Sequence, residues 1–299
     1  MTKTVETLSE ALDLFATVGM PARNLSDNTR IAYQHDLDEL YSFLSRQGIT
    51  RLDQVTLPHL EAFQAELDQH NLKGSTRKRK AAAIKSFFKW LHHQEFIMNN
   101  VGERLIPPKP EQIEPRFLSE EEYQALLRAC SHRSRDAAII ELLLQTGMRL
   151  AELAKLRLGD IELPKKITKD PDNMGSIRVR RKRNKEVTIP LNYKTCQALK
   201  TWLKVRPEVD HDGLFVTKFK TAIKPRAIQY LVEKYMQEAG IEGASVHTMR
   251  HTFGTHHAAK GTDLKVIQET LGHNNLATTS IYVSLAKKAQ RQALQENAL

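Results

Sequence analysis

The sequence predicts a mainly helical chain in two domains with one β-hairpin, and three observations carry that expectation. Apolar residues recur at three- and four-residue spacing through most of the chain, the stripe of an amphipathic helix. The segment IPPKPEQIEP breaks that periodicity with four prolines between positions 107 and 115, so a domain boundary is expected near residue 112. One stretch, SIRVRRKRNKEVTIPL, instead alternates around a charged centre, as a hairpin does. The length of 299 residues fits one large domain or two ordinary ones, and 40% hydrophobic against 27% charged residues is a globular composition.

Ahead of the prolines, SDNTRIAYQHDLDELYSFLSRQG sets Ile31, Leu37, Leu40, Phe43 and Leu44 behind a Ser/Asp/Asn start, with Gly48 as the stop. LPHLEAFQAELDQHN repeats the pattern. GSTRKRKAAAIKSFFKWLHHQEF makes a third helix with Ile84, Phe87, Phe88 and Leu91 as its buried stripe. Its start crowds Arg77, Lys78, Arg79 and Lys80 where the helix macrodipole disfavours cations, and seven Lys/Arg with no acid lie from Lys73 to His93. A solvated face accounts for such a run as readily as a helix end aimed at phosphates, where Lys85 would be a further contact.

Beyond the prolines, SEEEYQALLRAC opens with an N-cap and acids in its first turn, and RDAAIIELLLQTG is a mostly buried helix. The hairpin follows, and from about Thr195 the chain is helical again with breaks near PEVDHDG, GIEGAS and GHNN. No period of 20 to 50 residues recurs, which excludes a solenoid.

Lys+Arg number 45 against 35 Asp+Glu, and the formal charge of +10 points to a polyanionic partner, nucleic acid before an anionic membrane. The N-terminal MTKTVETLSEALDLF mixes acids with apolar residues, unlike a signal peptide, and no window reaches the roughly 18 apolar residues of a membrane span. A cytoplasmic protein is expected, on the nucleoid when bound to DNA. Cys130 and Cys196 lack CxxC partners, so neither a disulfide framework nor a thiolate metal site is indicated.

Four segments after the boundary concentrate groups that ordinary cores avoid. TGMRLAEL holds Arg149 and Glu152, which an i,i+3 ion pair would also explain. The hairpin carries Arg178, Arg180, Arg181, Lys182, Arg183 and Lys185, six cations in eight positions. VHTMRHTFGTHH supplies His247 and Arg250 one turn apart, and LGHNNLATTSIYVSL supplies His273 and Tyr282. His247 and His251 have the i,i+4 spacing of a zinc helix, but Arg250 stands where the glutamate belongs and no acid lies from Ser245 to Ala259, so no metal is expected. As a set, these groups suit phosphodiester cleavage, which needs a nucleophile, cations around the non-bridging oxygens and an acid for the departing alkoxide. A phenolate leaves more readily than an alkoxide, so a phosphotyrosyl ester keeps the bond energy. Arginines clamp a phosphate bidentately, while lysine can donate a proton and arginine cannot. Neither ATP nor any other cofactor is called for, and no GxxxxGK[ST] loop occurs.

In their order and spacing these segments resemble the tyrosine recombinase (phage integrase) family, most closely its compact Xer-type and transposon-borne members. TGMRLAEL is similar to the family's first-arginine box, VHTMRHTFGTHHAAKGTDLKVIQETLGHNN to its HxxR-to-LGH stretch, and TTSIYVSL to its tyrosine box, with 23 positions from Arg250 to His273 and nine more to Tyr282. The resemblance implies a mainly α fold with a small antiparallel β-sheet in the catalytic domain, and two domains forming a C-shaped clamp on duplex DNA. Residues 1–112 would be a helical, SAM-like core-binding domain and 113–299 the catalytic domain with a helical tail. By position, Tyr282 would attack the scissile phosphate and join the 3′ end, Arg149 and Arg250 would hold its oxygens, and His273 would hydrogen-bond it. His247 would assist proton transfer, Glu152 would orient its neighbours and Lys182 would be the general acid. Arg180, Arg181, Arg183 and Lys185 would join the cations of the third helix as DNA contacts.

Arginines at 181 and 183 replace both glycines of the family's usual Gly-Lys-Gly-x-Lys hairpin, and Lys185 competes with Lys182 for the acid role. ELPKKITKDPDNMGS is longer than the family's usual connection, and an insertion is preferred to a loop on the DNA side. The resemblance also implies a homotetramer on two DNA sites, with strands exchanged through a Holliday junction. Leu285, Ala289 and Ala293 form an apolar stripe in the tail, for which docking on a neighbouring protomer is preferred to folding back. A helix-turn-helix regulator without chemistry would explain the charge but gives Arg149, Lys182 and His247 no joint task. A DNA-relaxing enzyme of the type IB topoisomerase kind shares nearly all these residues, and the two-domain size and box spacings favour recombination.

Overall fold

A computed structural model of the chain describes residues 5–109, 111, 114–170, 172–181, 186–272 and 277–296. Two compact units divide it, Met1–Ile113 and Glu114–Leu299. The first is helical throughout. Its α1 (Leu8–Leu14) runs through a π turn (Phe15–Gly19) into α2 (Met20–Ala22), followed by α3 (Asp27–Arg46), α4 (Leu57–Gln69) and α5 (Gly74–His93). Ser26 caps α3 by accepting the Thr29 N–H at 3.3 Å, and Gly48, at φ +74°, turns the chain out of it. Leu37, Leu40, Phe43 and Leu44 are buried in one core with Ile84, Phe87, Phe88 and Leu91 of α5. Ile31, expected on the same stripe, is 69% exposed. It precedes Leu37 by six positions, a rotation of about 240° that turns it away from the buried face.

In the second unit come α6 (Glu120–Cys130), α7 (Ser134–Thr146), α8 (Leu150–Ala154), β1 (Ile161–Glu162), β2 (Gly175–Arg180) and β3 (Glu186–Leu191). Then follow α9 (Tyr193–Val205), α10 (Pro225–Glu238), α11 (Val246–Ala259), α12 (Leu264–Leu271) and α13 (Ala277–Glu296). Ser119 and Glu122 form a reciprocal capping box at the start of α6, at 3.2 and 3.0 Å. Helix α7 is the centre of the unit: Ile139, Ile140, Leu142 and Leu143 are buried on nearly every side, with α6, α9, α10 and α11 packed around it. The chain is thus mainly helical with one three-stranded antiparallel sheet in order β1-β2-β3.

In the sheet, Ile177 stands opposite Ile189 and Val179 opposite Val187; Ile177, Val179, Ile189 and Leu191 are buried while Arg178 and Arg180 alternate outward. Strand β1 is absent from the hairpin expectation. Two residues at the head of the polar connection supply it, Ile161 pairing with Ile177 and Glu162 with Ser176. A strand that short carries too little alternation to be read in sequence. In the tail, Leu285 packs with Phe253, Ile267, Leu271 and Tyr282 of its own unit, so the first residue of the expected inter-protomer stripe is used within the chain. The side chains of Ala289 and Ala293 lie outside the described residues. No described helix is long and apolar enough to cross a membrane.

Acids from neighbouring helices answer the cations at the start of α5. Arg77 pairs with Asp68 of α4 at 2.5 Å, and Arg79 pairs with Asp36 of α3. Lys80, 5% exposed, lies 3.1 Å from Asp36 and 2.5 Å from Glu39. Lys85 donates to the carbonyls of Glu103 and Leu105 at 2.7 and 2.9 Å, bracing the segment that follows the helix. Lys80 is therefore not the surface contact expected from sequence, because absence of acids within α5 says nothing of acids brought alongside it. Lys78 is exposed. Asp36 is itself 1% exposed, so Asp36→Asn leaves the buried Lys80 and the exposed Arg79 without their shared counter-charge, and unfolding of the variant should show a loss of about 3 kcal/mol. A loss below about 0.5 kcal/mol would mean that Glu39 alone satisfies Lys80.

Candidate active site

Two glycines in left-handed conformation set the frame. Gly147 ends α7 at φ +58°, and a Cβ there would stand 2.6 Å from Leu271 and 2.9 Å from Phe253. Only glycine meets both demands. The turn delivers Arg149 to the N-cap of α8, where Glu152, 9% exposed, accepts the Arg149 main-chain N–H at 2.9 Å and its guanidinium at 2.9 Å. Gly272, at φ +67°, ends α12 in the same way.

The end of α12 then gathers the arginines. Its last carbonyls lie beyond the helical ladder; the capping Gly272 N–H answers Gln268 O at 2.8 Å and Glu269 O at 3.1 Å. Arg250, one turn after His247 on α11, donates to Leu271 O at 2.5 Å and to Gly147 O at 2.5 Å. Arg149 donates to Gly272 O at 2.9 Å. Arg181, at the exit of β2, donates to Glu269 O at 2.6 Å and to Thr270 O. Its Nε lies 3.8 Å from Glu152. Three guanidinium groups against one carboxylate leave an excess of positive charge, the requirement for holding a phosphodiester. Burial, and then the neighbouring Arg149, push Arg250 down to about 10, which still leaves it charged at neutral pH. Each guanidinium has five N–H donors, so these main-chain bonds leave others for an anion.

Tyr282 stands on α13 and is 1% exposed. Burial raises its pKa, and the charge of Arg250 opposes that rise. Its ring lies 5.8 Å from that of His251 and rests on the main chain of α11 at Gly254, where a Cβ would come within 2.6 Å of the ring. Burial, followed by His247 and Arg250, lowers the pKa of His251, whose Nδ1 is buried without a hydrogen-bond partner. His247 is exposed in the first turn of α11.

The structure thus brings Arg149, Glu152, Arg250 and Tyr282 into one cluster, with His247 at its margin. His273, Lys182, Arg183 and Lys185 lie outside the described residues. Arg180 is exposed and pairs across the hairpin with Glu186 at 3.1 Å. Arg181 departs from the expectation of a DNA contact: its side chain is 7% exposed and turned into the cluster. Alternation in the hairpin placed it only by face, and no sequence pattern announces the carbonyls that draw it in. Gly254 was legible in principle, since a glycine inside a helix costs about 1 kcal/mol relative to alanine and so marks close approach.

Comparison with known proteins identifies the family. Residues 116–289 match the phage integrase family, and residues 13–95 match the phage integrase N-terminal SAM-like domain. Tyrosine recombinase XerC of Natranaerobius thermophilus is 37% identical over 274 residues, 87% of this chain and 89% of that protein. A XerH site-specific recombinase bound to palindromic difH substrate, in a post-cleavage complex, superposes with a TM-score of 0.77 at 23% identity, over 96% of this chain and 83% of its own. A lambda integrase tetramer bound to a Holliday junction gives 0.74 at 16% identity, over 94% and 78%. The chain belongs to the phage integrase family, the tyrosine recombinases: it is a DNA strand transferase of Xer-like type that cleaves and rejoins DNA at specific sites.

The seat of the Tyr282 ring on Gly254 is open to test by thermal or denaturant unfolding. Gly254→Ala should lower stability by about 1–3 kcal/mol through overpacking, against the gain of about 1 kcal/mol that the same change brings in an open helix. A stabilised variant would show that the ring does not need that contact.

Proposed function

We propose that Tyr282 is the nucleophile of this recombinase and that Arg149 and Arg250 hold the scissile phosphate. The observation that carries the reading is the joint attachment of the two arginines to the end of α12, with the Tyr282 ring seated at Gly254 on the helix that carries Arg250. The phenolic oxygen attacks phosphorus, the bond to the 5′ oxygen breaks, and a 3′-phosphotyrosyl ester remains. The phenol's proton leaves with help from His247, and Lys182 returns a proton to the 5′ oxygen. His273 hydrogen-bonds the same phosphate. Glu152 fixes the direction of Arg149 without reacting.

Residues 1–112 act as the core-binding domain and 113–299 as the catalytic domain. Lys78 and the outward hairpin arginines Arg178 and Arg180 meet the DNA backbone. Four protomers assemble on two sites and exchange strands in pairs through a Holliday junction, as the tetrameric relative's junction complex suggests. Attack by a second 5′ hydroxyl reverses the first step, so neither metal nor nucleotide is consumed.

The experiment begins by selecting a bound duplex from a random-sequence pool and rebuilding it as a suicide substrate nicked beside the cut. The wild type should run as a covalent adduct on a denaturing gel, whereas Tyr282→Phe should bind the duplex and trap nothing. An adduct formed by Tyr282→Phe would transfer the nucleophile's role elsewhere. A 5′-bridging phosphorothiolate, whose sulfur departs without a proton, should restore cleavage to Lys182→Ala and not to Arg149→Ala. Restoration of Lys185→Ala in place of Lys182→Ala would move the acid to 185.

A further inference from the structure

We infer that Arg181 is a positioning residue of the phosphate clamp: it pins the last turn of α12 so that the carbonyls of Leu271 and Gly272 aim Arg250 and Arg149. The inference rests on the proposed roles of those two arginines and adds a third that touches no substrate. Arg181 takes the two carbonyls that precede theirs, Glu269 O at 2.6 Å and Thr270 O beside it. Consecutive carbonyls at one helix end are thus shared among three guanidiniums, and the first two fall to the side chain that is 7% exposed. A planar fork suits this task, since its two terminal nitrogens reach adjacent acceptors at once.

Two further contacts tie the residue to the clamp. Its Nε faces Glu152 Oε1 at 3.8 Å, the same oxygen that accepts from the Arg149 guanidinium at 2.9 Å. Its guanidinium also occupies the space beside Gly272, where a Cβ would stand 2.6 Å from Nη1 and 2.8 Å from Cζ. Gly272 is therefore held in place on one side by Arg181 and on the other by Arg149, to which it gives its carbonyl. Loss of the Arg181 fork frees Thr270 O, leaves Glu269 O with the Gly272 N–H alone, and opens one side of Glu152; these changes reach the phosphate-holding arginines. A contact with the DNA backbone away from the cut would require the opposite disposition, with the guanidinium in solvent, and both terminal nitrogens of Arg181 are already committed to main-chain carbonyls.

The test compares wild type, Arg181→Ala and Arg181→Lys on the selected suicide duplex, with binding and single-turnover cleavage measured separately. For Arg181→Ala, the dissociation constant and its salt slope should match the wild type, while cleavage at saturating DNA falls at least tenfold. Arg181→Lys keeps the charge beside Glu152 without the fork and should lie between the two. A residue that only contacted backbone phosphate away from the cut would instead lower the salt slope by about 0.9 and leave saturated cleavage intact, which overturns the inference. The 5′-bridging phosphorothiolate should not restore Arg181→Ala, because the lesion is in the clamp; restoration would assign the residue to the leaving-group acid and overturn it too. Thermal unfolding separates a general loss of fold: cleavage by Arg181→Lys that recovers fully on cooling would make the role merely structural. If the wild type itself forms no adduct, the nucleophile and clamp assignments fail together; if it does and Arg181→Ala cleaves at the same rate, only the role of Arg181 fails.

Discussion

The last turn of α12 ends in carbonyls that its own helix satisfies only in part, and arginines from three distant parts of the chain answer them. Arg149 comes from the N-cap of α8, Arg181 from the end of β2 and Arg250 from the middle of α11. Helix termini carry partial charge, negative at the C-terminal end, so this junction attracts cations before any substrate arrives. That attraction offsets the repulsion of guanidinium groups brought together and lets an excess of positive charge persist in a partly buried place. Gly147 and Gly272 are the backbone condition for it, each supplying a left-handed turn where a side chain would collide.

The same principle, cations held by groups from elsewhere in the fold, acts to a different end in the N-terminal unit. There Asp36, Glu39 and Asp68 draw Arg77, Arg79 and Lys80 into the seams between α3, α4 and α5. Charge that reads in sequence as a polyanion-binding surface is partly spent on holding helices together. What faces outward on that helix is a smaller set in which Lys78 stands exposed.

Sequence made the helices legible wherever one face repeats, as in α5 and α7, and wherever a cap announces a start, as at Ser26 and Ser119. It failed at Ile31, where the interval to Leu37 was not a helical one, and at β1, which is two residues long. In the site, boxes of defined order singled out Arg149, Glu152, Arg250 and Tyr282, because their chemistry demands those residue types. The inward turn of Arg181 was not legible, since it depends on main-chain carbonyls some 90 positions away in a helix whose end only the folded chain defines. The burial of Lys80 was hidden for the same reason: its partners lie on another helix.

The environment of Arg250 also decides which cation can serve there. Burial and a neighbouring guanidinium bring its pKa from an ordinary 12.5 down to about 10. An ammonium starts roughly two units lower, so a comparable depression would carry it closer to physiological pH and narrow the margin by which it stays charged. Arginine at this position therefore keeps a wider margin of charge than lysine would, and adds the planar fork that reaches two carbonyls at once.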